Sequence, residues 1–345
     1  MPQFSPPTQG TGLPIDVHAH YIPPQLIDAV AARGRDLGVQ LLRPSGDGPP
    51  ALHFDYGFKV RPFFPRLVEP VAQRVAWLDE QGIDLQVVGT WPDIFGYGLA
   101  ADACAAWHRM LNDTLAEWCA DNAKRFAWIG SVPLTDAQAA AAELERAKGL
   151  GACGVIISSN IENINIGELA LDPFWQKAQA LNLPVLIHPV LVGAAPRAAK
   201  FGLAQVAQYT FDTTLGVGSL IMTGVLDRFP KLKLVLSHGG GAYPYLAGRF
   251  DIMHKRMDRA AQGDVAVKTP SAYATQMIYD SIVHAPKALR FLIEVAGLDN
   301  VALGTDYSFP PADMEPLALL RSAGLSAAEF AAVADANPRR VFGLR

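Results

Sequence analysis

Short apolar segments rich in β-branched residues alternate along this chain with longer Ala- and Leu-rich segments, in which apolar residues recur every three or four positions. The short segments are typical of strands buried on both faces, and the longer ones of helices that pack on a sheet. Eight strands are predicted: Ile15 to His20, Leu85 to Thr90, Phe126 to Val132, Gly154 to Ser159, Pro184 to His188, Lys233 to His238, Met277 to Ile282 and Val301 to Asp306. Strands that alternate with helices form parallel sheets, and eight of them favour a closed (β/α)8 TIM barrel.

Seven helices are predicted between or after these strands: Pro70 to Gln81, Asp102 to Lys124, Asp136 to Leu150, Pro173 to Leu181, Thr213 to Phe229, Pro286 to Val295 and Ala327 to Val341. A chain of 345 residues corresponds to about two average domains or to one large barrel. The continuous alternation favours one barrel domain over residues 1–345. Residues 1–12 are polar and rich in Pro and Gly, so we expect a loose lead-in there rather than a secretory signal.

One long segment interrupts the alternation between the first predicted strand and the first predicted helix. Residues from about 38 to 66 contain a cluster of Pro and Gly followed by the aromatic residues Phe54, Tyr56 and Phe58. Clusters of Pro and Gly are typical of turns, and long connections are usually functional loops. We therefore expect a loop or hairpin insertion over the mouth of the barrel.

The composition excludes several classes of partner. Lys and Arg number 29 against 33 Asp and Glu, a formal net charge of −4, and no basic run is present, so nucleic acid and membrane surfaces are not expected partners. The apolar runs are far shorter than the roughly 20 residues of a membrane-spanning helix. Cys104, Cys119 and Cys153 lack the spacing of a disulfide framework or thiolate site, which fits a reducing cytoplasm. A small molecule is the expected partner.

Residues able to bind a metal stand at the carboxyl ends of four predicted strands. His18 and His20 end the first strand, His188 the fifth, His238 the sixth and Asp306 the eighth. In a (β/α)8 barrel these ends converge on one face, where active sites form. A single histidine at a strand end is more often a structural residue, but this joint occurrence favours a metal centre.

The spacing of these residues suggests which metals they could bind. His18 and His20 are two residues apart, so both imidazoles can lie on one side of the strand and reach one ion. Together with His188 and Asp306 they would supply three nitrogens and one oxygen. This set suits zinc, manganese or iron rather than a thiolate-bound metal, and zinc is the default expectation.

The remaining histidines lack this context. His53, His108 and His254 do not end predicted strands, and we interpret them as surface or helix residues. His284 follows the seventh predicted strand just before Pro286. We expect His284 to cap the helix that begins there rather than to contact a substrate.

Six motifs occur in order between Ile15 and Leu344. They are Ile15 to His20, Leu186 to Pro189, Phe229 to Lys233, Ser237 to Ala242, Gly248 to Arg249 and Leu303 to Tyr307. In sequence and spacing they resemble the amidohydrolase-related decarboxylases. The resemblance implies a metal-dependent enzyme without an organic cofactor, which acts on a small carboxylic acid.

This resemblance implies a single divalent ion with four protein ligands, His18, His20, His188 and Asp306. It also implies that His238 does not bind the metal but hydrogen-bonds its water and can carry a proton, while Asp306 can relay a proton to carbon. Family members with two metals need a carboxylated Lys or a Glu at the end of the fourth strand, where this chain has Ile157 to Asn160. One metal ion is therefore expected.

The resemblance further implies two arginines that bind substrate carboxylates. Arg249 matches the position from which the family's arginine reaches across a dimer interface, so we expect a homodimer in which Arg249 enters the neighbouring site. Arg61 in the insertion matches a second arginine, with Arg66 as its rival because this segment aligns poorly. Phe309 and Trp91, at the mouths of the eighth and second strands, either form an aromatic wall or close the core.

Two functions remain open from the sequence. The first is non-oxidative decarboxylation of an unsaturated or aromatic carboxylic acid, which the resemblance favours. The alternative is a metal-dependent hydrolase of a lactone, an amide or a C–C bond that uses the same mononuclear site. No Gly-x-Gly-x-x-Gly motif opens a helix after a strand, so a dinucleotide cofactor is not expected.

Overall fold

The computed structural model describes residues 12–43, 48–190 and 195–345. Eight parallel strands form one sheet in chain order: β1 (Ile15–His20), β2 (Leu85–Gly89), β3 (Phe126–Gly130), β4 (Gly154–Ser158), β5 (Val185–His188), β6 (Leu234–Leu236), β7 (Ile278–Asp280) and β8 (Val301–Ala302). The Val17 N–H donates to the Leu303 carbonyl at 2.9 Å. The Asp306 N–H donates to the His18 carbonyl at 2.8 Å. These bonds join the last strand to the first, so the predicted (β/α)8 barrel is confirmed.

Helices follow the strands along the chain. The α-helices of the described residues are α1 (Pro24–Arg33), α2 (Val71–Gln81), α3 (Ala101–Asp121), α4 (Ala137–Gly149), α5 (Asp172–Leu181), α6 (Tyr209–Met222), α7 (Val225–Arg228), α8 (Tyr243–Arg256), α9 (Arg259–Gln262), α10 (Pro286–Ala296), α11 (Pro316–Ser322), α12 (Ala327–Ala331) and α13 (Asn337–Phe342). The predicted helix from Thr213 to Phe229 is divided, because Gly224 takes a left-handed φ of 71° between α6 and α7. Among the described residues, no helix has the length and apolarity needed to span a membrane.

The interior of the barrel is a packed apolar core. One buried cluster takes a side chain from every strand: Ile15, Val87, Ile129, Ile156, Leu186, Val235, Ile278 and Ala302. Burying an aliphatic side chain of this kind stabilises the folded state by about 1.5–3 kcal/mol. His188 lies two residues after Leu186, so it faces the same side of β5 at the strand's carboxyl end. The core thus fixes the position from which this imidazole projects.

The insertion after β1 contains a two-stranded antiparallel hairpin, formed by Val39–Leu42 and Ala51–Phe54. The ring of Phe54 packs edge-on against Trp107 of α3, with 5.9 Å between ring centroids. This contact fixes the hairpin against the helical layer. Residues 44–47 of the insertion, and residues 1–11 of the expected lead-in, lie outside the described residues.

Candidate metal centre and active site

Four of the predicted side chains come together at the carboxyl ends of β1 and β5 and in the segment that follows β8. Asp306 Oδ1 lies 3.1 Å from His20 Nε2, 3.4 Å from His18 Nε2 and 3.8 Å from His188 Nε2. One donor atom from each residue lies within 4.8 Å of the others, and all four residues are buried. The fold therefore assembles the group that the sequence predicts.

In His18, His20 and His188, the hydrogen bond made by Nδ1 determines whether Nε2, the nitrogen that faces the centre, carries hydrogen. His20 Nδ1 lies 3.1 Å from the Thr90 carbonyl, and His188 Nδ1 lies 2.9 Å from the carbonyl of the next residue. A carbonyl oxygen only accepts hydrogen bonds, so both Nδ1 atoms carry hydrogen and the Nε2 atom of each neutral ring has a free lone pair. His18 Nδ1 donates in the same way to Asp280 Oδ2 at 2.7 Å. All three Nε2 atoms then face the centre of the group.

Burial and neighbouring groups set the charges of this centre. Burial lowers the pKa of His20 and lowers the pKa of His188 to about 3. Burial alone would raise the pKa of Asp306, but four surrounding histidines, His18, His20, His188 and His238, outweigh it and hold this pKa well below its usual range. At neutral pH His20 and His188 thus offer neutral nitrogens beside a negatively charged oxygen. Burial alone would lower the pKa of His18 too, but the hydrogen bond with Asp280 and the nearby carboxylates raise it.

The donor atoms of this centre fit a metal ion. His188 Nε2 and Asp306 Oδ1 are buried and have no hydrogen-bond partner among the described residues. The Nε2 atoms of His18 and His20 lie 3.1 Å apart, and both face Asp306 Oδ1. Buried lone pairs that face one another are costly unless a cation binds them. Three nitrogens and one carboxylate oxygen match the preferences of zinc, manganese or iron.

His238 lies beside this group of four without joining it. Its Nε2 atom is 3.4 Å from Asp306 Oδ2, the second oxygen of that carboxylate. Its Nδ1 atom has no hydrogen-bond partner in the described part of the chain. The arrangement allows a proton to pass between His238 and Asp306.

The backbone is strained at this end of the barrel. His238, His284 and Asp306 take φ values of 54°, 54° and 56°, in the left-handed region that residues with a side chain rarely adopt. Such strain is concentrated at functional sites. The sequence predicts that β6 and β8 end at His238 and Asp306, but these strands end earlier, at Leu236 and Ala302. A left-handed residue cannot continue a strand, so neither strand could include its predicted last residue.

Asp280 at the end of β7 is a site residue that the sequence analysis did not identify. Its carboxylate accepts hydrogen bonds from His18 Nδ1 at 2.7 Å, from the His238 N–H at 2.8 Å and from the Gly239 N–H at 2.7 Å. Burial alone would raise the pKa of Asp280, but the hydrogen bond and charge of His18 lower it. Asp280 therefore holds one ring of the centre and the turn that carries His238. The signal in the sequence was a carboxylate inside the predicted strand from Met277 to Ile282, which is otherwise mostly apolar.

A cavity of about 430 Å³ opens onto this centre. His188, His238 and Asp306 are part of its lining. Trp91 and Phe309 line it as well, so both contribute an aromatic wall, and the Phe309 ring lies 4.8 Å from that of His20 between centroids. The volume and the mixed lining suit a small molecule with one ring.

The three candidate arginines have different surroundings. Arg61 lines the cavity, and its guanidinium lies 4.1 Å from the centroid of the Phe64 ring. Arg66 instead donates to Met314 Sδ at 3.2 Å and is not part of the cavity lining. Arg249 is exposed on α8 and does not line the cavity of its own chain.

The expectation that His284 caps a helix is wrong. The residue at the N-cap of α10 is Ala285, and no side-chain hydrogen bond caps this helix. His284 comes one position too early to cap it, and its left-handed backbone brings it to the cavity lining instead. His284 is therefore the third histidine in the cavity lining, together with His188 and His238.

Comparison with known proteins agrees with this geometry. The family model described as amidohydrolase matches residues 15–344. The chain belongs to the amidohydrolase family. Among curated relatives, this amidohydrolase is 33% identical to 2-amino-3-carboxymuconate-6-semialdehyde decarboxylase of Dictyostelium discoideum over 72% of its own length and 69% of the relative's.

Two solved structures resemble this amidohydrolase along nearly its whole length. The crystal structure of 5-carboxyvanillate decarboxylase from Sphingomonas paucimobilis is 26% identical, with a TM-score of 0.79 and coverage of 96% of this chain and 99% of the other. The structure of a dihydroxybenzoic acid decarboxylase from Polaromonas holds bound manganese and the inhibitor 2-nitroresorcinol. It is 22% identical, with a TM-score of 0.74 and coverage of 96% and 97%, and it supports the shared fold.

Proposed function

We propose that this member of the amidohydrolase family is a metal-dependent, non-oxidative decarboxylase of an unsaturated or aromatic carboxylic acid. The observation that carries the proposal is the convergence of three imidazole nitrogens and the Asp306 carboxylate at a small, partly aromatic cavity. The names of the two relatives that are more than 25% identical and described above, both decarboxylases, support the same reaction. No observation favours the alternative, hydrolysis of a lactone, an amide or a C–C bond.

The proposed ligands of the metal are His18, His20, His188 and Asp306. A bound divalent ion, zinc by expectation and manganese or iron as alternatives, would supply a Lewis acid that withdraws electron density from a substrate oxygen. A single ion is proposed, and no organic cofactor. The lowered pKa values of His20 and His188 support this role, because a protonated imidazole has no lone pair to offer.

The proposed proton carriers are His238 and Asp306. Decarboxylation breaks the bond between the carboxylate carbon and its neighbour, releases CO2, and leaves an electron pair on that neighbour, which must then take up a proton. Asp306 Oδ2 and His238 Nε2 are 3.4 Å apart, and both residues line the cavity. We propose that this pair holds the proton and delivers it to carbon.

The proposed substrate-binding residues are Arg61, Arg249, Phe309 and Trp91. Arg61 presents a guanidinium to the cavity, and this group binds carboxylates through two parallel hydrogen bonds. Phe309 and Trp91 would flank an aromatic ring or a conjugated chain.

We further propose that the active unit is a homodimer in which Arg249 reaches the neighbouring cavity. Phe211 and Leu215 on α6 and Tyr245 on α8 are 52%, 59% and 82% exposed, an arrangement that favours burial against a second copy. Arg249 lies on α8 beside this surface. One domain over residues 1–345, and a cytoplasmic location suited to unpaired cysteines, complete the proposal.

Trapping of released CO2 tests the proposed reaction. The purified protein, loaded with zinc or manganese, is incubated with a panel of unsaturated and aromatic carboxylic acids, and with lactones and amides as hydrolase substrates. We expect CO2 release from at least one acid and no turnover of the hydrolase substrates. Turnover of a lactone or an amide without CO2 from any acid would contradict the proposal.

A further inference from the structure

The cavity contains a second polar group that the proposed reaction does not use. Asp93 lies in the short turn after β2, and Tyr209 is the first residue of α6. Both line the cavity together with Arg61. The three are close enough to affect one another, because the charge of Asp93 raises the pKa of Tyr209 while that of Arg61 lowers it, in addition to the larger effect of burial.

The carboxylate of Asp93 has no partner of its own. Among the described residues, neither this carboxylate nor the Tyr209 hydroxyl takes part in a hydrogen bond or an ion pair. Burial raises the pKa of Asp93 to about 6, and the charge of Arg61 opposes this without reversing it. Asp93 is half-buried and lines the cavity, so a bound ligand can supply the hydrogen-bond donor that the described residues do not.

We infer that Asp93, with Tyr209 beside it, is a specificity subsite that accepts a hydrogen bond from a hydroxyl or amino group on the substrate ring. The inference rests on the proposed function and names the residue that would recognise a substituent on the ring of its substrate. Asp93 is two residues after Trp91, so it borders the wall against which we propose that the ring packs. Arg61 in the same lining would hold the carboxylate, and Asp93 would select the substituent.

The proposed subsite would also discriminate against acids that have no hydrogen-bond donor on the ring. An acid without a ring donor would leave the Asp93 carboxylate desolvated and unpaired, which is a strong basis for discrimination. A hydrogen bond to a charged acceptor of this kind corresponds to roughly a 10- to 100-fold difference in affinity.

Affinities of matched ligands test the subsite. The manganese-loaded protein is titrated calorimetrically with benzoate, 3-hydroxybenzoate, 4-hydroxybenzoate, 3-aminobenzoate and 4-aminobenzoate. We expect at least one substituted acid to bind about 10-fold or more tightly than benzoate. In Asp93→Ala this preference is expected to fall below about threefold, while the affinity for benzoate is unchanged or improved. Tyr209→Phe is the matched control, which keeps the carboxylate and most of the preference.

The outcomes separate this inference from the proposed function. If benzoates bind but the wild-type protein shows no preference, or if the preference survives in Asp93→Ala, the subsite is overturned and the decarboxylase proposal stands. If no carboxylic acid in the series binds the metal-loaded protein, both are overturned. A melting temperature of Asp93→Ala no lower than that of the wild-type protein would exclude misfolding as the cause of a lost preference.

Discussion

At the scale of single residues, the chemistry of the centre depends on what the Nδ1 atom of each proposed histidine ligand contacts. His20 and His188 donate from Nδ1 to backbone carbonyls, and His18 donates to a carboxylate. Each contact leaves the Nε2 atom of the same ring free to bind a cation. His238 differs, because the main chain rather than the ring contacts Asp280, and the ring remains available for proton transfer.

Substitution of His238 should separate metal binding from catalysis. In His238→Gln, we expect the metal content to stay the same, because the four proposed ligands are untouched. The turnover number should fall by about 100-fold or more, since a positioned acid–base group typically contributes that much. Metal content is measured by mass spectrometry and turnover by CO2 release. His188→Gln is the matched control, which we expect to lose the metal; loss of metal from His238→Gln would instead make His238 a ligand.

Substitution of Asp93 should change how thermal stability depends on pH. Burial raises its folded-state pKa from 3.8 to about 6, so the folded protein binds more protons than the unfolded chain between these values. The destabilising effect of the ionised carboxylate is therefore fully present above about pH 6 and is relieved as the pH falls towards 4. We expect Asp93→Asn to raise the melting temperature more at pH 7.5 than at pH 4.5. An equal change at both pH values would contradict a raised pKa.

At the scale of elements, the centre depends on residues that tie neighbouring strands and helices together. Asp280 joins the end of β7 to His18 of β1. On the outer side, the buried guanidinium of Arg74 on α2 donates to Gln86 of β2 at 3.1 Å and to Ser308 after β8 at 2.9 Å. Ser308 in turn donates to the His20 carbonyl at 2.8 Å. β1, which carries the proposed ligands His18 and His20, is therefore fixed by Asp280 on one side and by Arg74 and Ser308 on the other.

Neutralising Asp280 should weaken metal binding. In Asp280→Asn, the His18 ring loses its charged acceptor, and we expect the dissociation constant of the metal to rise by about 10- to 100-fold. The melting temperature should also fall, because two backbone N–H groups lose a charged partner. Competition with a chromogenic chelator measures the affinity. Asp136→Asn makes the same change at the N-cap of α4, so it should leave the affinity unchanged; an equal effect of both substitutions would refute the role of Asp280.

The sequence reveals the centre but only part of what surrounds it. His18, His20, His188 and Asp306 were predictable because they end apolar strands, and a parallel barrel brings such ends together. Asp280 was not, because the partner of its carboxylate lies 262 positions away, on the first strand. The position of His284 just before Pro286 suggested a helix cap. Its place in the cavity lining depends on a left-handed backbone, which the sequence does not indicate at a residue other than glycine. The barrel itself was predictable, since its strands are continuously apolar.

At the scale of the whole molecule, the proposed dimer makes each active site depend on two chains. The exposed apolar residues of α6 and α8 would be covered, and Arg249 would complete the neighbouring cavity. Within a single chain, Arg249 is not among the residues that line the cavity. The proposal thus connects an exposed surface and an exposed arginine through one assembly.

Complementation between two inactive variants tests the shared site. Arg249→Ala and His188→Ala, each inactive as a homodimer, are coexpressed with different tags and purified as a heterodimer. One site of this heterodimer contains an intact metal centre and the Arg249 of its neighbour, so we expect about half the activity of the wild-type dimer. An inactive heterodimer, or full activity of Arg249→Ala alone, would show that the sites are independent.

The most direct test of the account is a metal titration of the metal-free protein, with CO2 release from a substrate found in the panel as the readout. We expect no CO2 release from the metal-free protein, a linear rise with added zinc or manganese, and saturation at about one ion per chain, as three imidazoles and one carboxylate can hold. His188→Ala should not respond to added metal. Full CO2 release without metal, or saturation only at two ions per chain, would contradict the account.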